Sequence, residues 1–144
     1  MKVDELLFHW EQDSKIDKTR LGDESLKTDQ LHFKYTQMII HENVRLAHLK
    51  NKYNEKYKEL FEFYTKGAKT TKNLEELKKA PGGGIPNIQA EMHIQADPDF
   101  HKVTLELALQ QEICNALKSI IWSVNKRHEN IKNSILWEKF QAGG

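Results

Sequence analysis

Val3, Leu6, Leu7 and Trp10 recur at helical spacing, which predicts a short amphipathic helix over residues 3–13. In the run from Asp13 to Leu21, Asp17 or Thr19 is a candidate cap for a second helix behind Ile16. That second helix is long. Leu46, Leu49, Tyr53, Tyr57, Leu60 and Tyr64 follow one another at steps of three or four, and Leu31, Tyr35, Met38 and Ile39 extend the stripe backwards. The helix is expected to run from about Asp23 to Lys66 and to stop at Gly67, a residue suited to the position after a helix C-cap.

Residues 67–87, "GAKTTKNLEELKKAPGGGIPN", hold four of the seven glycines and two of the three prolines, and read as a flexible linker with one helical turn at Leu74 to Leu77. In "IQAEMHIQA", Ile88, Ala90, Met92, Ile94 and Ala96 alternate strictly, which predicts a short strand over residues 88–96. Asp97-Pro98-Asp99 then supplies cap and breaker chemistry ahead of a last helix over about Lys102 to Phe140. Its stripe is Leu105, Leu109, Ile113, Leu117, Ile120, Val124, His128, Ile131 and Ile135. The expected fold is mainly α with a minor β element. It divides into a helical region 1–66, a linker 67–87, and a strand plus C-terminal helix 88–144.

Two helices of about 40 residues would each be near 60 Å long at about 1.5 Å per residue, more than a compact globule of this size needs. Either they bend, or their stripes are covered. A heptad-like stripe on the last helix, with Trp122 and Trp137 beside it, points to self-association through Leu105, Leu109, Ile113, Leu117, Ile120, Val124, Ile131 and Ile135. An intramolecular helical hairpin is the alternative.

The chain has 144 residues, 30% of them charged and 38% hydrophobic, and a mean hydropathy of −0.73. No apolar run approaches the roughly 18 residues needed to cross a bilayer, so no membrane partner is expected. The N-terminus, "MKVDELLFHW", carries acids where a secretory signal would be basic and then apolar, and the lone Cys114 closes no internal disulfide. Both point to a protein that stays inside a cell. Net charge is only +1, but it is unevenly spread. Residues 1–44 carry six basic and nine acidic side chains, residues 45–79 ten and five, and residues 80–144 six and seven. The positive charge is therefore confined to one segment, a pointer to a polyanionic partner.

Catalytic signals are thin. "APGGGIP" lacks the Lys-Ser/Thr of a phosphate loop. His41, Glu42 and His48 share a helix, but neither a His-Glu-x-x-His nor paired Glu-x-x-His motifs occur, so no metal and no other cofactor is expected. Cys114, beside Ile113, reads as a small core residue. The basic segment "KYKELFEFYTKGAKTTK" remains. With Tyr53 at the centre of the apolar stripe and about 100° per residue, Arg45, Lys52, Lys56 and Phe63 share one flank, while Lys58, Lys66 and Lys69 lie towards the polar side. Such a surface fits successive phosphates while an aromatic stacks on a base. It fits equally the solvated shoulders of a structural helix, with Glu55, Glu59 and Glu62 as surface partners.

The order of the segments carries a further signal. Ile16-Asp17-Lys18-Thr19-Arg20-Leu21 near the start, Ala96-Asp97-Pro98-Asp99 before the last helix and Phe140-Gln141-Ala142-Gly143 at the end keep the order and spacing of a known pattern. The chain resembles the UvsY family, recombination mediators of T-even-type bacteriophages, over nearly its full length. The resemblance implies a non-enzymatic accessory protein of the infected cell's cytoplasm that binds single-stranded DNA and assembles into a closed, hexamer- or heptamer-like ring. It also implies contacts with a RecA-like phage recombinase and the phage single-strand-binding protein, and self-association through the C-terminal helix. The family's basic Lys-x-Arg-Leu-x-Tyr-Tyr signature falls on residues 58–64, where Lys58 and Tyr64 match and Phe63 keeps an aromatic, while Leu60 stands in the arginine's place. The helix pattern and the resemblance together give the expected DNA-binding set: Arg45, Lys52, Lys56, Lys58, Phe63, Tyr64, Lys66 and Lys69. A coiled-coil scaffold without DNA binding is the rival from another class.

Overall fold

The computed structural model describes residues 1–66 and 87–143. In these residues the chain forms four helices and no strand: α1 (Val3–Asp13), α2 (Leu21–Lys66), α3 (Asn87–Ala96) and α4 (Pro98–Gln141). The limits of α1 and the end of α2 fall where the apolar spacing places them. The expected linker and the helix stop at Gly67 lie outside the described residues.

The residues fall into two compact units. One joins residues 1–45 with 110–144, and the other is residues 46–109. In the first, α1 lays Leu6 against Tyr35 of α2 and Ile113, Leu117, Ile120 and Val124 of α4, with Val3, Trp10, Leu31, Met38 and Ile39 at the margin. The Trp10 and Tyr35 rings meet edge to face at 5.5 Å. Burying an apolar side chain of this size contributes roughly 1.5–3 kcal/mol, so this cluster outweighs any single polar contact in the unit.

Three polar contacts set its register. Arg127 donates through Nη2 to the Glu24 carboxylate at 2.5 Å and the Glu24 carbonyl at 3.1 Å, and through Nε to the Thr28 hydroxyl at 3.1 Å. Gln110 donates its amide to the Glu42 carboxylate at 2.7 Å and the Glu42 carbonyl at 3.0 Å. From Glu24 to Glu42 the partner recedes from Arg127 to Gln110, so α2 and α4 run antiparallel in this unit. Lys34 and the Tyr35 hydroxyl both donate to Asp13 Oδ2, at 2.5 and 2.8 Å, and tie the end of α1 to α2.

The helix starts differ in chemistry. Asp17 does not cap α2. Its carboxylate accepts from the Thr19 amide at 2.9 Å and hydroxyl at 2.6 Å, closing a turn ahead of the helix, and the first helical bond runs from the Glu24 amide to the Arg20 carbonyl. Asp97 does cap α4, accepting from the amides of Asp99 at 2.9 Å and Phe100 at 3.0 Å, with Pro98 in the first turn where a missing N–H costs nothing. This cap starts α4 several residues before the expected Lys102.

The strand expected over residues 88–96 is a helix. Period two and a helical i, i+4 pair are both present in so short a run, and the contacts decide between them: Ala90 and Ile94 are wholly buried while Met92, on the same side of any strand, is 71% exposed. Ala, Gln, Glu and Met favour helix, and a single strand with no second strand to pair with leaves its backbone groups unsatisfied.

Candidate nucleic-acid interface

The second unit centres on Leu60 of α2, Ile94 of α3 and Phe100 of α4, ringed by Tyr53, Tyr57, Phe61 and Tyr64. Phe100 touches the rings of Tyr53 at 5.0 Å and Tyr57 at 6.1 Å, and Tyr57 stacks on Phe61 at 6.2 Å and 16°. Tyr64 meets Phe63 edge on at 5.0 Å and stacks on His93 of α3 at 5.1 Å and 21°. One side of α2 is therefore pinned by aromatics, and its cations are carried on the other sides.

Those cations are not equivalent. Lys52 pairs with Glu106 at 3.3 Å, and Lys56, half-buried, approaches Glu59 at 3.7 Å. Lys56 also lines a cleft with Leu60, Phe63, Tyr64, Asp97, Pro98 and Asp99, whose two carboxylates offset its charge. Lys58 and Lys66 are exposed, and among the described residues no carboxylate pairs with either. Between residues 45 and 66 stand six basic and three acidic side chains. The local excess is real but moderate.

Other residues of the expected set are placed differently. Phe63 is buried, so its face is not offered to a base; Tyr57, Phe61 and Tyr64 keep partly open rings. Arg45 belongs to the first unit, where it is exposed and stands 3.7 Å from Glu42. Lys69 lies outside the described residues. The period-based view of the helix did not find Phe61 or His93. Phe61 is signalled by its i, i+4 spacing from Tyr57, whereas His93 is reached only through the packing of α3.

On α4, the side chains expected to bind a second copy are largely engaged inside the first unit. Ile113, Leu117, Ile120, Val124 and Ile131 are buried there, Ile135 is half-buried, and in the second unit Leu105 and Leu109 are exposed. Cys114 is buried. His41 and His48 are exposed and Glu42 is taken by Gln110; among the described residues no cluster of His, Cys, Asp or Glu has the arrangement of a metal site. Nor is any described helix long and apolar enough to cross a membrane.

A helical chain with a basic, aromatic helix end has the features of a protein that contacts a polyanion. The chain belongs to the UvsY family, whose model, described as recombination, repair and ssDNA binding protein UvsY, matches residues 9–144. The fold is that of the solved bacteriophage T4 recombination mediator protein UvsY. One crystal form is 17% identical at a TM-score of 0.83, with 99% of this chain and 98% of that chain covered. A second is 16% identical at 0.81, covering 98% and 99%. Among curated proteins no sequence relative matches.

Proposed function

We propose that this protein is a recombination mediator: it binds single-stranded DNA and loads a RecA-like recombinase onto strands covered by single-strand-binding protein, in the cytoplasm of the infected bacterium. The observation that carries the reading is the end of α2, where Lys58 and Lys66 have no carboxylate partner among the described residues and stand beside the partly open rings of Tyr57, Phe61 and Tyr64, in a chain whose family is described as ssDNA binding. Unpaired ammonium groups neutralise phosphates at little desolvation cost, and partly open rings offer faces on which bases stack without reading sequence.

Two neutralising lysines per protomer give weak, salt-sensitive binding, so the reading requires several copies acting on one strand. Linked copies convert later contacts into intramolecular ones and raise affinity by orders of magnitude when one strand reaches them together. A ring-like homo-oligomer meets that need. With five of the eight expected α4 residues engaged in the protomer's own core, the apolar side chains α4 still offers a neighbour are Leu105 and Leu109 in one unit and Trp122, Leu136, Trp137 and Phe140 in the other. A strand held along repeated α2 ends is kept extended for a recombinase and competes with the single-strand-binding protein for the same phosphates.

The scaffold reading keeps one observation in its favour: Arg45, Lys52 and Lys56 each lie within 4.0 Å of a carboxylate. It predicts an oligomer indifferent to DNA. The deciding experiment titrates the protein into a fluorescent single-stranded oligonucleotide at two salt concentrations while its mass in solution is recorded. The mediator reading expects binding that falls steeply with salt and is lost in Lys58→Glu with Lys66→Glu. Salt-independent or absent binding by a well-formed oligomer overturns it.

A further inference from the structure

The row of rings at the end of α2 does not stop at that helix. Tyr57, Phe61 and Tyr64 follow at steps of four and three, so they stand along one side of α2, with Lys58 three positions before Phe61 at the edge of the row. Tyr57 and Phe61 stack at 16°, and His93 of α3 continues the row, its imidazole lying on Tyr64 at 5.1 Å and 21°. Tyr64 covers one face of that imidazole, yet His93 is exposed. Gln89, Met92 and Ala96, at steps of three and four around it, complete one face of α3, and the four residues line a shallow depression of about 420 Å³. Ala90 and Ile94, wholly buried on the other face, fix which side of α3 is presented.

We propose that this face of α3 is a nucleobase subsite of the single-strand interface: a base stacks on the open face of His93, beside Met92, and its edge meets the Gln89 amide. The inference rests on the single-strand-binding reading and extends it to a second element. Three observations select a base as the occupant. First, the face carries no carboxylate. Glu91 stands about 200° around the helix from His93, and the Asp97 carboxylate just beyond α3 already accepts from the Asp99 and Phe100 amides. The face carries no lysine or arginine either, so it suits the uncharged part of a nucleotide, while Lys58 at the edge of the row suits a phosphate. Second, the parts are those of a stacking platform: a flat ring braced from behind by another ring, a polarisable thioether beside it, and an amide that both donates and accepts. Such a site takes every base, as binding without sequence preference requires. Third, the apolar area is too small for a protein partner. Met92 is the one large hydrophobic side chain exposed on α3 among the described residues, whereas a specific protein interface buries about 800 Å² on each partner. The strand then crosses from α2 to α3, and rings from two elements hold its bases apart.

The test titrates the full chain with two strands of equal length, an oligonucleotide and a phosphodiester strand of abasic sites. Wild type should favour the oligonucleotide. His93→Ala should lower oligonucleotide affinity at least about fivefold, change abasic-strand affinity by less than about twofold, and keep the salt dependence of wild type. His93→Phe, which keeps a flat ring, should restore binding, and that rescue separates stacking from charge. His93→Trp places a reporter on the face: the oligonucleotide should quench the added fluorescence and the abasic strand should not, a signal that a residue merely propping Tyr64 would not give. Equal wild-type affinity for the two strands, equal losses on both in His93→Ala, failure of His93→Phe to rescue, or no quenching in His93→Trp beyond that of wild type overturns the subsite and leaves binding through Lys58 and Lys66 standing. If His93→Ala does not fold, Gln89→Glu decides, since it keeps both rings and sets a charge at the base edge: lowered oligonucleotide affinity supports the subsite and unchanged affinity overturns it. A wild type that binds neither strand overturns the single-strand reading and the subsite together.

Discussion

Arg127 is the residue on which the first unit turns. Its guanidinium is buried and bonds the Glu24 carboxylate, the Glu24 carbonyl and the Thr28 hydroxyl, while the other Glu24 oxygen accepts from the exposed Lys27. Arg127→Ala removes the buried partner of Glu24, leaving it only the exposed Lys27, and should lower the unfolding free energy by about 3 kcal/mol in urea titration. Replacing both partners with apolar residues of similar size should recover most of that loss, because the pair's desolvation cost disappears with it. The same chemistry sets the acid limit. Burial pushes the Asp13 carboxyl up, but hydrogen bonds from Lys34 and Tyr35 outweigh it and hold the group below its ordinary value. At Glu24 the Lys27 hydrogen bond, opposed by burial and aided by Arg127, does the same. Carboxylates lowered on folding stabilise fully above their unfolded pKa of about 4, and the contribution disappears as pH falls through the lower folded value. Stability should therefore be flat from about pH 7 to 5 and decline below about pH 4, and Asp13→Asn should shallow that decline; an acid limb unchanged by Asp13→Asn would count against the assignment.

At the scale of elements, α3 is the one whose type the pattern misassigned. Its ten residues satisfy period two in composition and period 3.6 in contact. Helix and strand make opposite forecasts there. Ile94→Ala removes a wholly buried side chain and should cost about 2–4 kcal/mol, while Met92→Ala should stay within about 0.5 kcal/mol. A strand would bury both side chains and make the two costs similar. The long helices were legible because their stripes persist for many turns, which no strand accommodates. The cap at Asp97 was legible too, since Asp-Pro-Asp leaves little alternative, whereas Asp17 spent its carboxylate on Thr19 two residues away.

For the whole molecule, the candidate site was legible as a region and only partly as residues. A window of net positive charge with aromatics is visible in composition, and it led to Lys58 and Lys66. It did not show that Lys52 faces Glu106, 54 positions away in the chain, or that Phe63 is buried. The consequence is measurable. Charge reversal at Lys58 and Lys66 should flatten the salt dependence of single-stranded DNA binding, while Lys52→Gln, already neutralised by Glu106, should change affinity by less than about threefold. Equal effects at all three lysines would mean that the Lys52 pair opens on binding.

The sequence alone determined that the chain is built on long helices, because helix period is a local property written over neighbouring residues, though it set the start of α4 at Lys102 where the structure has Pro98. It also determined the family, through the order and spacing of short motifs along the chain. Only the tertiary structure decided which apolar stripe is spent on the protomer and which is left over. The stripe on α4 from Ile113 to Ile131 is consumed by α1 and α2, and the stripe on α2 from Leu26 to Val44 is not. Both obey the same spacing in the sequence; what separates them is the register fixed by Arg127 with Glu24 and Gln110 with Glu42, contacts between residues far apart in the chain whose partners no local pattern names.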